Sequence, residues 1–205
     1  DAYNVGVGYN EGYAVTTGTS NTLIGGLSGD AITTGNQNVS VGTNSLSTLT
    51  TGSYNTAVGD RALLYLETGS FATALGQDAL RNSTSGLNTA LGYSAMYSNT
   101  SGDYNVGVGH TALGLNTTGT QNVAVGYQAG NANTTASYNT FLGTFSGSTN
   151  TTGANNTAVG NYALSLNTTG QRNTAVGRSS LYSNTTGQYN TAFGYDALSA
   201  NTTAE

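Results

Sequence analysis

The sequence predicts an all-β chain, a parallel β-solenoid or β-roll of twelve 17-residue coils. Three observations carry this: a 17-residue repeat that fills the chain, a glycine at one fixed place in every copy, and β-branched residues at alternate positions just before that glycine. The repeat unit is idealised as N-T-A-V-G-x-x-A-L-x-x-N-T-T-G-x-x, and its positions are called slots 1 to 17. Units begin at Asn4, Asn21, Asn38, Asn55, Ala72, Asn88, Asn105, Asn122, Asn139, Asn156, Asn173 and Asn190. Every spacing is 17 except the 16 between Ala72 and Asn88, where Gly86-Leu87-Asn88 lacks one residue of the usual Gly-x-x-Asn link. Residues 1–205 therefore read as a single array. Seventeen residues are too few for a helical-hairpin repeat, whose units run to about 33.

Slots 1–5 are the most constant part. Asn stands at slot 1 in eleven units: Asn4, Asn21, Asn38, Asn55, Asn88, Asn105, Asn122, Asn139, Asn156, Asn173 and Asn190. Slot 4 is always apolar, from Val7 to Phe193, and slot 5 is always Gly. N-T-A-V-G has the period of a strand. A-L-x-x-N-T-T reads as a weaker second strand, and the glycines at slots 5 and 15 as positive-φ corners between the two. Coils stacked about 4.8 Å apart give an array roughly 55–60 Å long. Such stacking places like slots over one another, so the slot-1 asparagines are expected to form an amide ladder, as in cross-β arrays. The slot-4 residues are expected to form an aliphatic stack inside the coil.

The remaining slots modulate this plan. Slot 9 is Leu or Met in eight coils (Leu46, Leu63, Leu80, Met96, Leu113, Leu164, Leu181, Leu198) and Gly in two adjacent pairs, Gly12/Gly29 and Gly130/Gly147. The glycine pairs predict either local grooves or places that admit a partner chain. Slot 12 runs Val15, Ile32, Leu49, Leu66, then Ser83, then Asn99, Asn116, Asn133, Asn150, Asn167, Asn184 and Asn201. An aliphatic stack thus becomes a second Asn ladder beside the short unit, and a change of packing, twist or width is expected near residues 80–90.

Composition excludes several function classes. Charged residues make up 6% of the chain, against about 25% in ordinary globular proteins. Four Arg and no Lys face nine acids, for a net charge of −5, which argues against a nucleic-acid partner. There is no Cys, hence no disulfide framework or thiolate metal site. No apolar run approaches the roughly 18 residues of a membrane span, so no membrane insertion is expected, and no signal peptide opens the sequence. No catalytic constellation, calcium cage or P-loop is found, so the reading is non-enzymatic and without cofactor or metal. His110, the one histidine, and the charged groups Asp60, Arg61, Glu67, Asp78 and Arg81 occupy variable slots and read as solvated surface with weak ion pairs.

Each coil offers little apolar side chain against the cost of ordering seventeen residues. Association of identical chains around a shared apolar axis is the expected remedy. The stretch Asn156-Thr-Ala-Val-Gly-Asn-Tyr-Ala-Leu-Ser-Leu-Asn-Thr-Thr-Gly170 and its counterpart Asn173–Gly187 resemble repeats of bacterial and phage tail-fibre-domain proteins. The N-[TV]-A-[VI]-G strand is similar to the head repeat of trimeric autotransporter adhesins, a trimeric parallel β-roll with a shorter coil. The resemblance covers essentially the whole array. It implies a homotrimer, an extracellular place on a virion tail fibre or cell surface, and a shaft segment of a longer protein.

Outward residues then supply the candidate contacts. Tyr9, Tyr93, Tyr127 and Tyr195 at slot 6, with Tyr54, Tyr104, Tyr138 and Tyr189 at slot 17, offer flat amphipathic faces for cell-surface carbohydrate, or else cover strand edges and oligomer seams. The Asn-x-Thr/Ser triplets at Asn99, Asn116, Asn133, Asn150, Asn167, Asn184 and Asn201 are glycosylation acceptors in a eukaryotic secreted chain, and ladder residues otherwise. The leading functional reading is a structural fibre segment or adhesin. The alternatives are an ice-binding solenoid using one of the Thr ranks at slots 13 and 14, and a glycosylated extracellular filament subunit.

Overall fold

A computed structural model, which describes residues 2–204, consists of one continuous stack of coils with one short strand per repeat and no helix. The strands occupy slots 2–4, from β1 (Val5–Val7) through β5 (Thr73–Leu75) and β6 (Thr89–Leu91) to β12 (Thr191–Phe193), and form a single parallel sheet in sequence order. Pairing is in register at every step. It stays in register across the short unit, where Thr73 pairs with Thr89. The missing residue belongs to slot 16: Leu87 keeps the left-handed φ of slot 17 (59°), and its N–H still reaches the Ser70 carbonyl of the coil before (3.1 Å). The deletion is absorbed in the link, and the strand stack passes through it unbroken.

No second strand forms among the described residues. Slots 5–8 and 9–12 are two tight turns, closed by bonds such as Ser28 N–H to the Gly25 carbonyl (3.3 Å) and Val15 N–H to the Gly12 carbonyl (3.0 Å). This return arm is nevertheless bonded to the next coil, for example through Ala14 N–H to the Asp30 carbonyl and Thr16 N–H to the Thr33 carbonyl (3.0 Å each). Turn geometry replaces the expected strand because slots 7 and 9 adopt positive φ even where they carry Arg, Tyr or Leu: Arg61 56°, Tyr162 57°, Leu113 50°. A left-handed residue costs about 1–2 kcal/mol, and it persists here because neighbouring coils over-determine it.

The two glycine slots serve different ends. At slot 5, φ lies between 126° (Gly25) and 145° (Gly8), a region open only to glycine. At slot 15 φ is not positive, contrary to the corner expected there. The requirement is closeness: a Cβ on Gly102 would lie 2.3 Å from the Gly119 carbonyl of the next coil. Ala136, at the same slot, is accommodated within the stack.

Which side faces in also differs from expectation. The slot-1 asparagines and the slot-3 residues (Ala57, Ala74, Ala90, Phe141) are buried, so slots 2 and 4 of the same strands point outward. Ile24, Leu75 and Leu142 at slot 4 are 38%, 45% and 44% exposed. The expected internal aliphatic stack is thus an external one. The core is built instead from slots 3, 8, 9 and 12, including Leu46, Leu63, Leu80, Leu113, Leu164 and Leu181 at slot 9, all fully buried.

The slot-9 glycine pairs leave neither grooves nor openings. A Cβ on Gly12 or Gly29 would lie 2.7 Å from a methyl of Leu23, and one on Gly147 2.3 Å from the Phe141 ring. Leu23 and Phe141 are the two large residues at a slot otherwise held by Ala, Gly or Ser. One large side chain from slot 3 thus fills the space of two absent slot-9 side chains. At slot 12 the chemistry of the stack changes as expected, from Ile32, Leu49 and Leu66 through Ser83 to Asn99, all buried.

Candidate functional site

Two internal amide ladders hold the coils. In the slot-1 ladder, Asn122 donates from Nδ2 to Oδ1 of Asn105 (3.1 Å) and to the Ala136 carbonyl (2.8 Å), while its backbone N–H also reaches Asn105 Oδ1 (2.9 Å). The same pattern joins Asn4 to Asn21, Asn38 and Asn55, and Asn156 to Asn173 and Asn190. The ladder breaks at Ala72, whose N–H still reaches Asn55 Oδ1, and Asn88 restarts it by bonding the Gly86 carbonyl instead (2.9 Å). Farther on, Asn139 Nδ2 is buried without a partner, although its backbone N–H keeps the bond to Asn122 Oδ1.

The slot-12 ladder runs Ser83, Asn99, Asn116, Asn133, Asn150, Asn167, Asn184, Asn201. Each amide also donates to the slot-15 carbonyl of its own coil, as Asn116 does to Gly119 (3.0 Å). Asn99 to Asn184 are fully buried with both Nδ2 hydrogens used. A glycan on those nitrogens is incompatible with this packing, and the triplets act as structure here.

The outward faces are of three kinds. On the turn side, rings adjoin from coil to coil: Tyr93–His110 (5.0 Å between centroids) and Phe145–Tyr162 (5.1 Å) are stacked, His110–Tyr127 (5.3 Å) is tilted, and Tyr127–Phe145 (5.2 Å) and Tyr162–Tyr182 (6.1 Å) meet edge to face. Tyr54 lies flat on Phe71, and Arg172 and Arg178 sit over Tyr189 and Tyr195 (5.2 and 5.3 Å). Five of the eight tyrosines named as carbohydrate contacts therefore have a ring neighbour or an Arg against them. Tyr9, Tyr104 and Tyr138 remain exposed with no ring partner among the described residues. His110 is exposed, as its variable slot predicts, and is the second rung of this column.

The strand face is the second kind. Slots 2 and 4 present Thr or Val beside Val, Leu, Ile or Phe along all twelve strands, with no charged residue. The third kind is the pair of Thr ranks. Slot-13 hydroxyls are spent between coils: Thr117 donates to the Thr134 carbonyl (2.9 Å) and Thr168 to the Thr185 carbonyl (3.1 Å). Slot-14 residues such as Thr118, Thr135, Thr152 and Thr169 are exposed.

Charged groups gather in coils 4 and 5. Arg61 reaches one coil on and grips Asp78 with two bonds (3.0 Å each), keeps Asp60 at 3.3 Å, and Arg81 Nε stands 3.4 Å from Asp78. Asp78 is almost wholly buried, so this is a tighter arrangement than the weak surface pairs expected, and among the described residues Glu67 makes no ion pair with it. No group of three metal-ligating side chains occurs among the described residues, and no helix is long and apolar enough to cross a membrane.

At Asp30, burial pushes the carboxyl above its ordinary value of 3.8, against a smaller opposing effect of its backbone hydrogen bond. Folding thus disfavours the charged form, and stability falls as pH rises from the ordinary carboxylate value through the raised one. Asp30→Asn is expected to raise the melting temperature at pH 7, with the gain vanishing near pH 3; thermal melts across that range check it.

Comparison with known proteins gives no match: no family model, curated sequence or solved structure aligns significantly with the chain.

Proposed function

We propose that the chain is a rigid, non-enzymatic segment of an extracellular fibre, in which three copies zip together along their strand faces and their outward residues contact surface glycans. The observation that carries this reading is the uncharged strand face of slots 2 and 4. All-parallel sheets are almost always covered on both faces, and here one face lies on the core while the other is open. The strand face measures roughly 50 Å by 10 Å. That is about 500 Å², short of the about 800 Å² per partner of a stable interface. The tyrosines at slots 6 and 17 flank the strand on both sides and widen it. Three is the number implied by the resemblance to tail-fibre and adhesin repeats. The mechanism is mechanical: ladders and turns fix each coil on the next, and many weak outward contacts sum to useful avidity.

Sedimentation tests this. The expected mass is about three times 20.7 kDa, and Val125→Asp on the strand face should release monomers while Thr118→Asp on the far side should not. A monomeric wild type at micromolar concentration overturns the reading. The slot-14 rank favours the second reading, ice binding, because its regularly spaced exposed hydroxyls include Thr118, Thr135, Thr152 and Thr169. It requires thermal hysteresis that is lost on Thr135→Tyr.

A further inference from the structure

The column of slot-10 side chains lacks one rung. It runs Arg81, Tyr97, Gly114, Asn131 through coils 5 to 8, and Gly114 is the one glycine at this slot in any unit. Arg81 covers one side of the Tyr97 ring at 5.5 Å and binds its hydroxyl at 2.6 Å. On the other side, where the coil-7 side chain would stand, there is an open notch of about 350 Å³. Its walls include Asp78, Thr111, Leu115 and Asn131. Asn131 leans back over the gap, with Oδ1 only 2.5 Å from where a Cβ at position 114 would be. Its amide makes no hydrogen bond among the described residues, whereas the slot-1 and slot-12 asparagines of the interior are bonded into ladders.

We propose that this notch binds one neutral pyranose unit of a glycan, which localises the carbohydrate contact of the reading above and rests on it. The chemistry is that of a sugar: the free face of Tyr97 and the exposed Leu115 suit the ring's C–H face, and the Asn131 amide and the Thr111 hydroxyl suit its hydroxyls. Charge selects a neutral ligand, because Asp60 and Asp78 are balanced by Arg61 and Arg81. The volume, near the lower end of the range for small-molecule sites, suits one ring and not a protein partner. An opening of about 340 Å³ lies at the equivalent slots of coils 11 and 12, beside Tyr182, Asp196 and Ser199, but an aromatic followed by a glycine at slot 10, with an Asn one coil further on, occurs in coils 6 to 8 alone.

The test is amide NMR on the intact chain, titrated separately with the methyl pyranosides of glucose, galactose and mannose. At least one is expected to give saturable shifts at Tyr97, Gly114, Leu115 and Asn131. Affinity should fall at least tenfold in Gly114→Leu, which fills the notch with a residue the same slot already carries as Leu64 in coil 4. Tyr97→Leu should do the same. Unchanged spectra elsewhere in both variants exclude misfolding as the cause. Shifts confined to Tyr9, Tyr104 or Tyr138 and indifferent to Gly114→Leu overturn the notch and leave surface glycan contact standing. The absence of shifts with all three sugars overturns the notch as well, while the fibre reading is judged separately by sedimentation.

Discussion

Phe141→Ala is expected to destabilise the chain by about 3–5 kcal/mol, the range for emptying an aromatic site in a core. The ring is fully buried and stands in for two missing side chains, since Gly130 and Gly147 flank it at slot 9. Gly147→Leu alone should also destabilise, because its Cβ would stand 2.3 Å from the ring. The combination Phe141→Ala with Gly130→Leu and Gly147→Leu should recover most of the loss. It recreates the Ala158 and Leu164 arrangement of the following coil, where Leu already tolerates a φ of 53°. Urea unfolding of the four proteins measures this coupling, and a triple variant no more stable than Phe141→Ala would refute the compensation. Each coil touches only its neighbours, so the damage should centre on coils 8 and 9.

Asn122→Ala should be the next largest. The side chain accepts from the Asn139 N–H (3.0 Å), which loses its partner when it is removed, whereas the Ala136 carbonyl keeps the Asn133 amide (3.0 Å). One buried group left unsatisfied costs about 1–3 kcal/mol, and that is the loss expected from the shift in unfolding midpoint. Asn4→Ala, at the half-exposed start of the ladder, should cost less than half as much. Ala72 shows how a gap is tolerated: the Asn88 amide turns to the Gly86 carbonyl, a bond that the shortened link brings within reach.

The repeat, its length, its parallel register and its amide ladders were all legible in the sequence, because each follows from stacking like on like. The facing of the strand was not. Slots 1 and 4 have opposite parity on an extended chain, so the asparagines and the aliphatic residues cannot both point inward. A ladder satisfies its own polar groups, which lets Asn122 and its equivalents take the inside and leaves Val125 out. The signal was present at slot 3, which is small in every coil except those of Leu23 and Phe141, where slot 9 is glycine. That reciprocity marks both slots as facing one space.

The tight turns were hidden for a different reason. Leu46, Leu63 and Leu113 are poor residues for positive φ, so their sequence gives no hint of it. Only the glycines at the same slot, Gly12, Gly29, Gly130 and Gly147, with φ of 54–57°, betray the conformation. The notch at Gly114 was hidden for a third reason: it depends on a side chain that is absent from one rung of an otherwise filled column.

The claim that each repeat makes one coil is tested most directly by scalar couplings across backbone hydrogen bonds in a labelled sample. Couplings are expected from Val106 N–H to the Asn122 carbonyl, from Val123 N–H to the Asn139 carbonyl and from Gly126 N–H to the Val108 carbonyl. Couplings that join antiparallel neighbours, or that skip a repeat, would contradict the coil and everything placed on its faces.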